Sequence, residues 1–178
     1  MNEVAQIRQD GGAEDETGAV AMPHNIEAEQ QLLGAILTNN EVYDRVAQII
    51  RPQHFYEPVH ERIYALAESR IGANMLASPV TLKPFLADDE GLKELGGAAY
   101  LARLAGAAIS SFAARDYAQM IYEMHQRREL MTLGAEIGDR AGRLEAKDTP
   151  GEQIVAAEQA LYKLAETGAA TTGFKSFL

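Results

Sequence analysis

Imidazoles are the side chains best suited to moving a proton or holding a metal near neutral pH, and this chain has four: His24, His54, His60 and His125. No two stand at the i, i+4 spacing that would put both rings on one helix face. A turn could bring His54 and His60 together, but no Asp or Glu near them falls at a recognised ligand spacing. They read as packed or surface histidines, and no metal ligand is assigned. The carboxylate run Asp88, Asp89 and Glu90 would attract a cation only if rigidly held; in a loop it reads as a solvated turn. Arg127 and Arg128, followed by Glu129, could meet an acidic partner or lie on a solvated helix face.

A phosphate loop, G-x-x-x-x-G-K-[ST], supplies backbone donors, a lysine for the terminal phosphates and a hydroxyl for Mg²⁺. Nothing here fits it: Gly91-Leu92-Lys93 lacks the preceding glycine and the hydroxyl residue. G-x-S-x-G, H-E-x-x-H and G-x-G-x-x-G are also missing from the sequence. No catalytic or cofactor-binding residue is therefore nominated, and these residues are expected to form no enzyme by themselves. With no cysteine there is neither a disulfide framework nor a thiolate metal site. A formal net charge of -10 argues against a bare surface for nucleic acid. No apolar run approaches the roughly 20 residues that cross a bilayer. The polar start, with Glu14, Asp15 and Glu16, is unlike a signal peptide, so a cytoplasmic protein is expected.

The elements that must position these residues read as helices throughout. Residues 1–21 mix glycine with acids, show no period, and read as a disordered acidic tail. Asn25 can cap a helix running to about Thr38, with Ile26, Leu32, Leu33, Ile36 and Leu37 on its apolar face. Asn40 can cap a second helix carrying Val42, Val46, Ile49 and Ile50, which Arg51-Pro52 ends. Pro58 suits the first position of a third, faced by Val59, Ile63 and Leu66. After a loop from Asn74 to Pro79, Thr81 can cap the next helix, with Pro84 tolerated in its first turn. Gly96-Gly97 stops a short segment around Leu92 and Leu95, and Ala98 to Leu104 forms another short helix.

From Ala113 to Glu145 the spacing predicts one long helix with two stripes. Tyr117, Ile121, Met124, Arg128, Met131, Ala135, Gly138 and Gly142 make the first; Leu130, Leu133, Ile137, Ala141 and Leu144 make the second. Two stripes imply two packing partners. Thr149 and Glu152 have capping-box spacing with Pro150 between them, opening a helix faced by Ile154, Ala157, Leu161 and Leu164. A short connection folds it back antiparallel on the first. The remaining stripe is expected to meet the globular part or a second subunit, and the small residues would let another backbone approach. Gly168 to Gly173 reads as a flexible linker, and Phe174, Phe177 and Leu178 as apolar residues awaiting a partner surface. The expected organisation is all-α: a tail over 1–21, a globular helical bundle over 22–112, a long antiparallel helical hairpin over 113–167 and a linker over 168–178.

The run from Met22 to Leu37, MPHNIEAEQQLLGAIL, resembles the opening of the bacterial replicative DNA helicase family DnaB. Further pieces follow in family order: His54-Phe55-Tyr56 with His60 and Ile63-Tyr64; Val80-Thr81-Leu82 with Leu86; Gly91, Leu92, Gly96, Gly97, Tyr100, Leu101 and Leu104; and Tyr117, Ile121 and Arg127-Arg128-Glu129-Leu130. Gln53-His54 and Ser78-Pro79 depart from the acidic residues common there. The resemblance implies an N-terminal domain whose hairpins pair, dimeric as a fragment and hexameric in the full-length ring. It implies docking of a primase C-terminal domain and a helicase loader, and single-stranded DNA contact only through the whole ring. ATP and Mg²⁺ are expected for a C-terminal RecA-like motor and none for these residues, and no membrane partner is implied. The expected subunit or primase interface comprises Tyr117, Ile121, Met124, Arg127, Arg128, Met131, Ala135, Gly138 and Gly142. Phe174, Phe177 and Leu178 are expected to lead toward a neighbouring ATPase domain. The helicase-interacting C-terminal domain of a primase, which shares this helical fold, and a stand-alone helical adaptor remain alternatives.

Overall fold

The computed structural model describes residues 20–108, 110–144 and 147–172, the last five by backbone alone. Eight α-helices form among them: α1 Ile26–Thr38, α2 Glu41–Val46, α3 Pro58–Gly72, α4 Pro79–Leu82, α5 Glu90–Glu94, α6 Ala98–Gly106, α7 Ala114–Gly142 and α8 Pro150–Thr172. Short 3₁₀ turns, Pro52–His54 and Lys83–Phe85, join α2 to α3 and extend α4.

The fold is organised around α1. The Asn25 side chain accepts from the Ala28 N–H at 2.9 Å and starts this helix as the sequence leads one to expect. Leu32, Leu33, Ile36 and Leu37 are all buried, each contributing roughly 2 kcal/mol of transfer free energy. α2, α3, α6 and the first part of α7 pack around them. Gly34 sets the approach of α6: a Cβ there would lie 1.9 Å from the Leu104 carbonyl oxygen. The Gly-Gly stop is a Schellman closure, with the Gly97 N–H reaching the Leu92 carbonyl at 2.7 Å and Gly96 at φ 109°.

Two caps differ from expectation. α4 is opened by Ser78 with Pro79 at its first position, and Thr81 answers as the reciprocal partner of a capping box. Asn40 occupies the N-cap position of α2 but makes no side-chain cap bond. Its side chain donates to the carbonyls of Ile36 and Ala77 and accepts from the Ala77 N–H, tying α1 to the strap before α4. Asn39 supplies the local bond, accepting from the Glu41 N–H. A long-range strap satisfies three backbone groups where a cap would satisfy one, which is why it wins.

α7 and α8 form the antiparallel hairpin. The Tyr122 hydroxyl, near the base, donates to the Thr167 carbonyl at 3.2 Å, and Gln153 near the tip reaches the Arg140 carbonyl at 3.5 Å. The Thr149–Glu152 capping box forms in both directions. α8 continues to Thr172, so the linker expected from Gly168 is corrected to helical backbone as far as Thr172. One glycine costs a helix about 1 kcal/mol, too little to end one of this length. The expected tail falls almost wholly on residues 1–19, outside the described residues, as do Phe174, Phe177 and Leu178.

Candidate functional site

Two polar clusters and the hairpin surface hold most of the candidate residues. The first cluster is fully enclosed in the head. Glu29 on α1 and His60 on α3 are 2% and 0% exposed. The Glu29 carboxylate accepts from the backbone N–H of Tyr56 at 2.7 Å and of Glu57 at 3.3 Å, satisfying donors just before α3. It also faces His60 Nδ1 at 2.7 Å, while His60 Nε2 meets the Tyr100 hydroxyl of α6 at 2.5 Å. Gln30 donates to the same hydroxyl at 3.1 Å. Burial raises the Tyr100 phenol above its ordinary value. Every buried side-chain N and O among the described residues has a partner. Enclosed in the core, the relay fastens α1, α3 and α6 to one another.

The second cluster seats the hairpin on the head. His54, on the 3₁₀ turn, lies 4.6 Å from the ring of His125 and 5.0 Å from that of Tyr122, both on α7. Its Nδ1 accepts from the Arg51 N–H at 3.0 Å, which requires that nitrogen unprotonated. Burial, then the nearby His125, Arg51 and Arg128, push this imidazole down to about 4. Burial also lowers His125. Arg128 donates to the carbonyls of Pro23 and His54, both at 2.8 Å, and lies over the Tyr56 ring, which stacks on His24. The four histidines, scattered in sequence, thus divide between a core relay (His60) and the hairpin seat (His24, His54 and His125).

This geometry splits the first stripe of α7. Ile121 is 2% exposed, and Tyr117 packs on the core. Arg128 is engaged by the head's carbonyls, so these three are corrected from surface candidates to intramolecular seat residues. Met124 and Met131 are half-buried, while Arg127, Ala135, Gly138 and Gly142 are exposed. A Cβ added at Gly134, Gly138 or Gly142 would meet nothing within 4 Å, so among the described residues no other backbone uses their smallness. The second stripe turns to α8: Leu133 and Ile137 line a cleft with Ala156, Ala157 and Ala160. Leu130 and Leu161 line another with Gln126, Leu164 and Ala165. Ile154, Val155, Leu161 and Tyr162 on α8 and Leu130 on α7 all remain exposed.

The acidic triplet is only partly a solvated turn. Asp89 caps α5 through the Leu92 N–H at 2.8 Å and pairs bidentately with Arg62, which holds its carboxyl below the usual range. Among the described residues no three His, Cys, Asp or Glu side chains are grouped to hold a metal, and no helix is long and apolar enough to cross a membrane. Sequence reasoning read His60 only as a packed or surface histidine and did not single out Glu29 as its partner. Their signal was a polar side chain in step with an apolar face, Glu29 with Leu32, Leu33 and Ile36, and His60 with Ile63, Tyr64 and Ala67.

Comparison with known proteins points one way. The family model described as DnaB-like helicase N terminal domain matches residues 21–123. A protein of Rickettsia bellii named replicative DNA helicase DnaB is 40% identical over 159 residues, covering 88% of this chain and 32% of its own length. Its namesake in Rickettsia conorii is 40% identical over 147 residues, covering 83% and 30%. That of a Nostoc species is 32% identical over 115 residues, covering 65% and 13%. The chain thus spans about a third or less of the curated relatives it matches. The crystal structure of the N-terminal domain of DnaB helicase from Mycobacterium tuberculosis matches with a TM-score of 0.72 at 26% identity, over 80% of this chain and 99% of that one.

Proposed function

The chain belongs to the DnaB-like helicase N-terminal domain family, and from that membership we propose that it is the assembly and primase-docking domain of a hexameric replicative helicase. Residues 1–178 carry no motor in this reading. ATP and Mg²⁺ serve a RecA-like domain elsewhere in a longer protein, and single-stranded DNA passes through the completed ring. A primase C-terminal domain and a helicase loader dock on the assembly, in the cell interior where replication takes place.

One observation supports this reading above the others. The hairpin leaves large apolar side chains exposed on both of its helices, Leu130 on α7 and Ile154, Leu161 and Tyr162 on α8. Two helices cannot cover all their apolar faces, and a second hairpin would complete a four-helix arrangement. The interface assigned to that pairing is narrowed to Met131, Ala135, Gly138 and Gly142 together with Leu130 and Leu161. Arg127, exposed and adjacent, is assigned to the primase contact.

Sedimentation of the 178-residue chain tests the pairing. A monomer–dimer equilibrium is expected, and Leu130→Glu combined with Leu161→Glu should shift it to monomer; because both side chains also line the α7–α8 cleft, Gly138→Leu, at a position with no intramolecular neighbour, should do the same with helicity kept. A strict monomer for the natural sequence at high concentration would remove the pairing. Co-purification with a primase C-terminal domain, lost in Arg127→Glu, tests the docking half separately.

A further inference from the structure

The head carries a second unpartnered surface, on elements that do not seat the hairpin. α7 rests on α1, α2 and the Pro52–His54 turn, whereas α4 packs on α3 and α6. Along residues 69–87 there are two cations, Arg70 and Lys83, and no carboxylate, in a chain of net charge -10. The same stretch exposes Leu76, Val80 and Phe85 at 63%, 80% and 62%. Arg70 joins two of them: its guanidinium lies 5.5 Å from the Phe85 ring centre and its Nε donates to the Leu76 carbonyl at 2.9 Å.

Beside this patch is a cleft of about 210 Å³ lined by Leu86, Leu92 and Leu101, with Lys83 and Lys93 as its charged residues. An apolar cavity of roughly 150 Å³ already accepts a benzene ring, so the cleft has room for one large apolar side chain. Lys93 is paired with Glu90 at 2.8 Å, and Asp89 with Arg62. Lys83 makes no side-chain hydrogen bond or ion pair among the described residues. The surface therefore combines an apolar anchor site, an exposed apolar flank and, at Lys83, an uncommitted cation on the cleft wall, with Asp88 at the cleft's edge.

We propose that this surface docks an acidic linear segment of a partner protein, seating one large apolar side chain in the Leu86–Leu92–Leu101 cleft with carboxylates against Lys83. Opposite charge steers encounter and selects against basic segments, while the anchor supplies the contact. A single anchor places the interaction at the small, transient end of interfaces. Because the surface lies off the hairpin, it stays open when hairpins pair, and it stands or falls independently of the primase assignment.

Fluorescence anisotropy with the full 178-residue chain tests this. The probe is a labelled peptide of Asp and Glu around a central Leu-Phe, and its control has the same Leu-Phe among lysines. Saturable binding of the acidic peptide is expected, weakening with salt. Lys83→Glu and Val80→Asp should each weaken it about tenfold, equivalent to about 1.4 kcal/mol. Both positions are exposed, so helicity and thermal midpoint should hold; if Lys83→Glu disturbs them, Lys83→Gln should give a smaller loss in an intact fold. No saturable binding, equal binding of the lysine peptide, or unchanged binding by Lys83→Glu and Lys83→Gln would overturn the proposal. So would preferential capture of anionic phosphatidylglycerol vesicles through Lys83, which would make the surface a membrane contact.

Discussion

Glu29 shows how a charged side chain can be indispensable to a fold without doing chemistry. It is buried, and its two oxygens are shared among two backbone donors and a histidine. Removing the charge leaves those donors imperfectly paired in a dry interior. Glu29→Ala should therefore cost on the order of 3 kcal/mol in urea unfolding, and a loss under about 1 kcal/mol would contradict the relay. Position in the amphipathic pattern makes Glu29 and His60 findable as polar residues on a buried face. That they meet each other and Tyr100 is not legible, since the three stand on separate helices. His54 gives a pH dependence. Folding pushes its imidazole from an ordinary 6.5 to about 4, so the unfolded chain takes up this proton first. Its contribution to stability is complete above about 6.5 and is lost as pH falls toward about 4, by on the order of 3 kcal/mol. Urea midpoints measured across that range should fall more steeply for the natural chain than for His54→Gln; parallel curves would rule out the perturbed imidazole.

At the scale of the element, glycines separate contact from propensity. Gly34 and Gly138 both sit in helix interiors, yet only Gly34 has a neighbour, the Leu104 carbonyl of α6. Gly34→Ala must push α1 and α6 apart and should cost about 3 kcal/mol. Gly138→Ala meets nothing and should stabilise the dilute monomer by about 0.5–1 kcal/mol through helix propensity. Thermal unfolding of the two variants checks both signs. If hairpins approach closely at Gly138, the same substitution should weaken self-association even as it raises the monomer's midpoint. Local devices of this kind are the most readable part of the chain. Asn25, Gly96-Gly97 and Thr149–Glu152 each act within a few residues of themselves, and each forms as its pattern predicts. Asn40 escapes such a reading because its partner Ala77 is 37 residues away.

For the whole molecule, burial is uneven. The buried core lies in the head, and the buried residues of α7 end at Tyr122. Beyond that point the hairpin is held by half-buried contacts and by exposed pairs such as Arg140–Asp148, each contributing little. Amides of α1, α3 and α6 should therefore exchange only through global unfolding. Those from Leu130 to Leu161 should exchange through local opening in dilute protein. Raising the concentration should protect the hairpin selectively as hairpins pair. Hydrogen exchange at two concentrations checks this, and uniform protection at both would contradict it.

By itself the sequence determined the class, the helix starts at Asn25, Pro58 and Thr149, the Gly96-Gly97 stop, the family motifs and the lack of a phosphate loop. All of these depend on residue type, on spacing within a turn or two, or on motif order along the chain. Only the tertiary structure decided what the histidines do and which way the long helix faces. Tyr117, Ile121, Met124, Arg128 and Met131 share one stripe, but a stripe says only that something packs there. The seat of α7 on α1, α2 and the His54 turn assigns its first half to the head and leaves the second half against α8. That division depends on where helices distant in sequence cross, and helical periodicity carries no record of it.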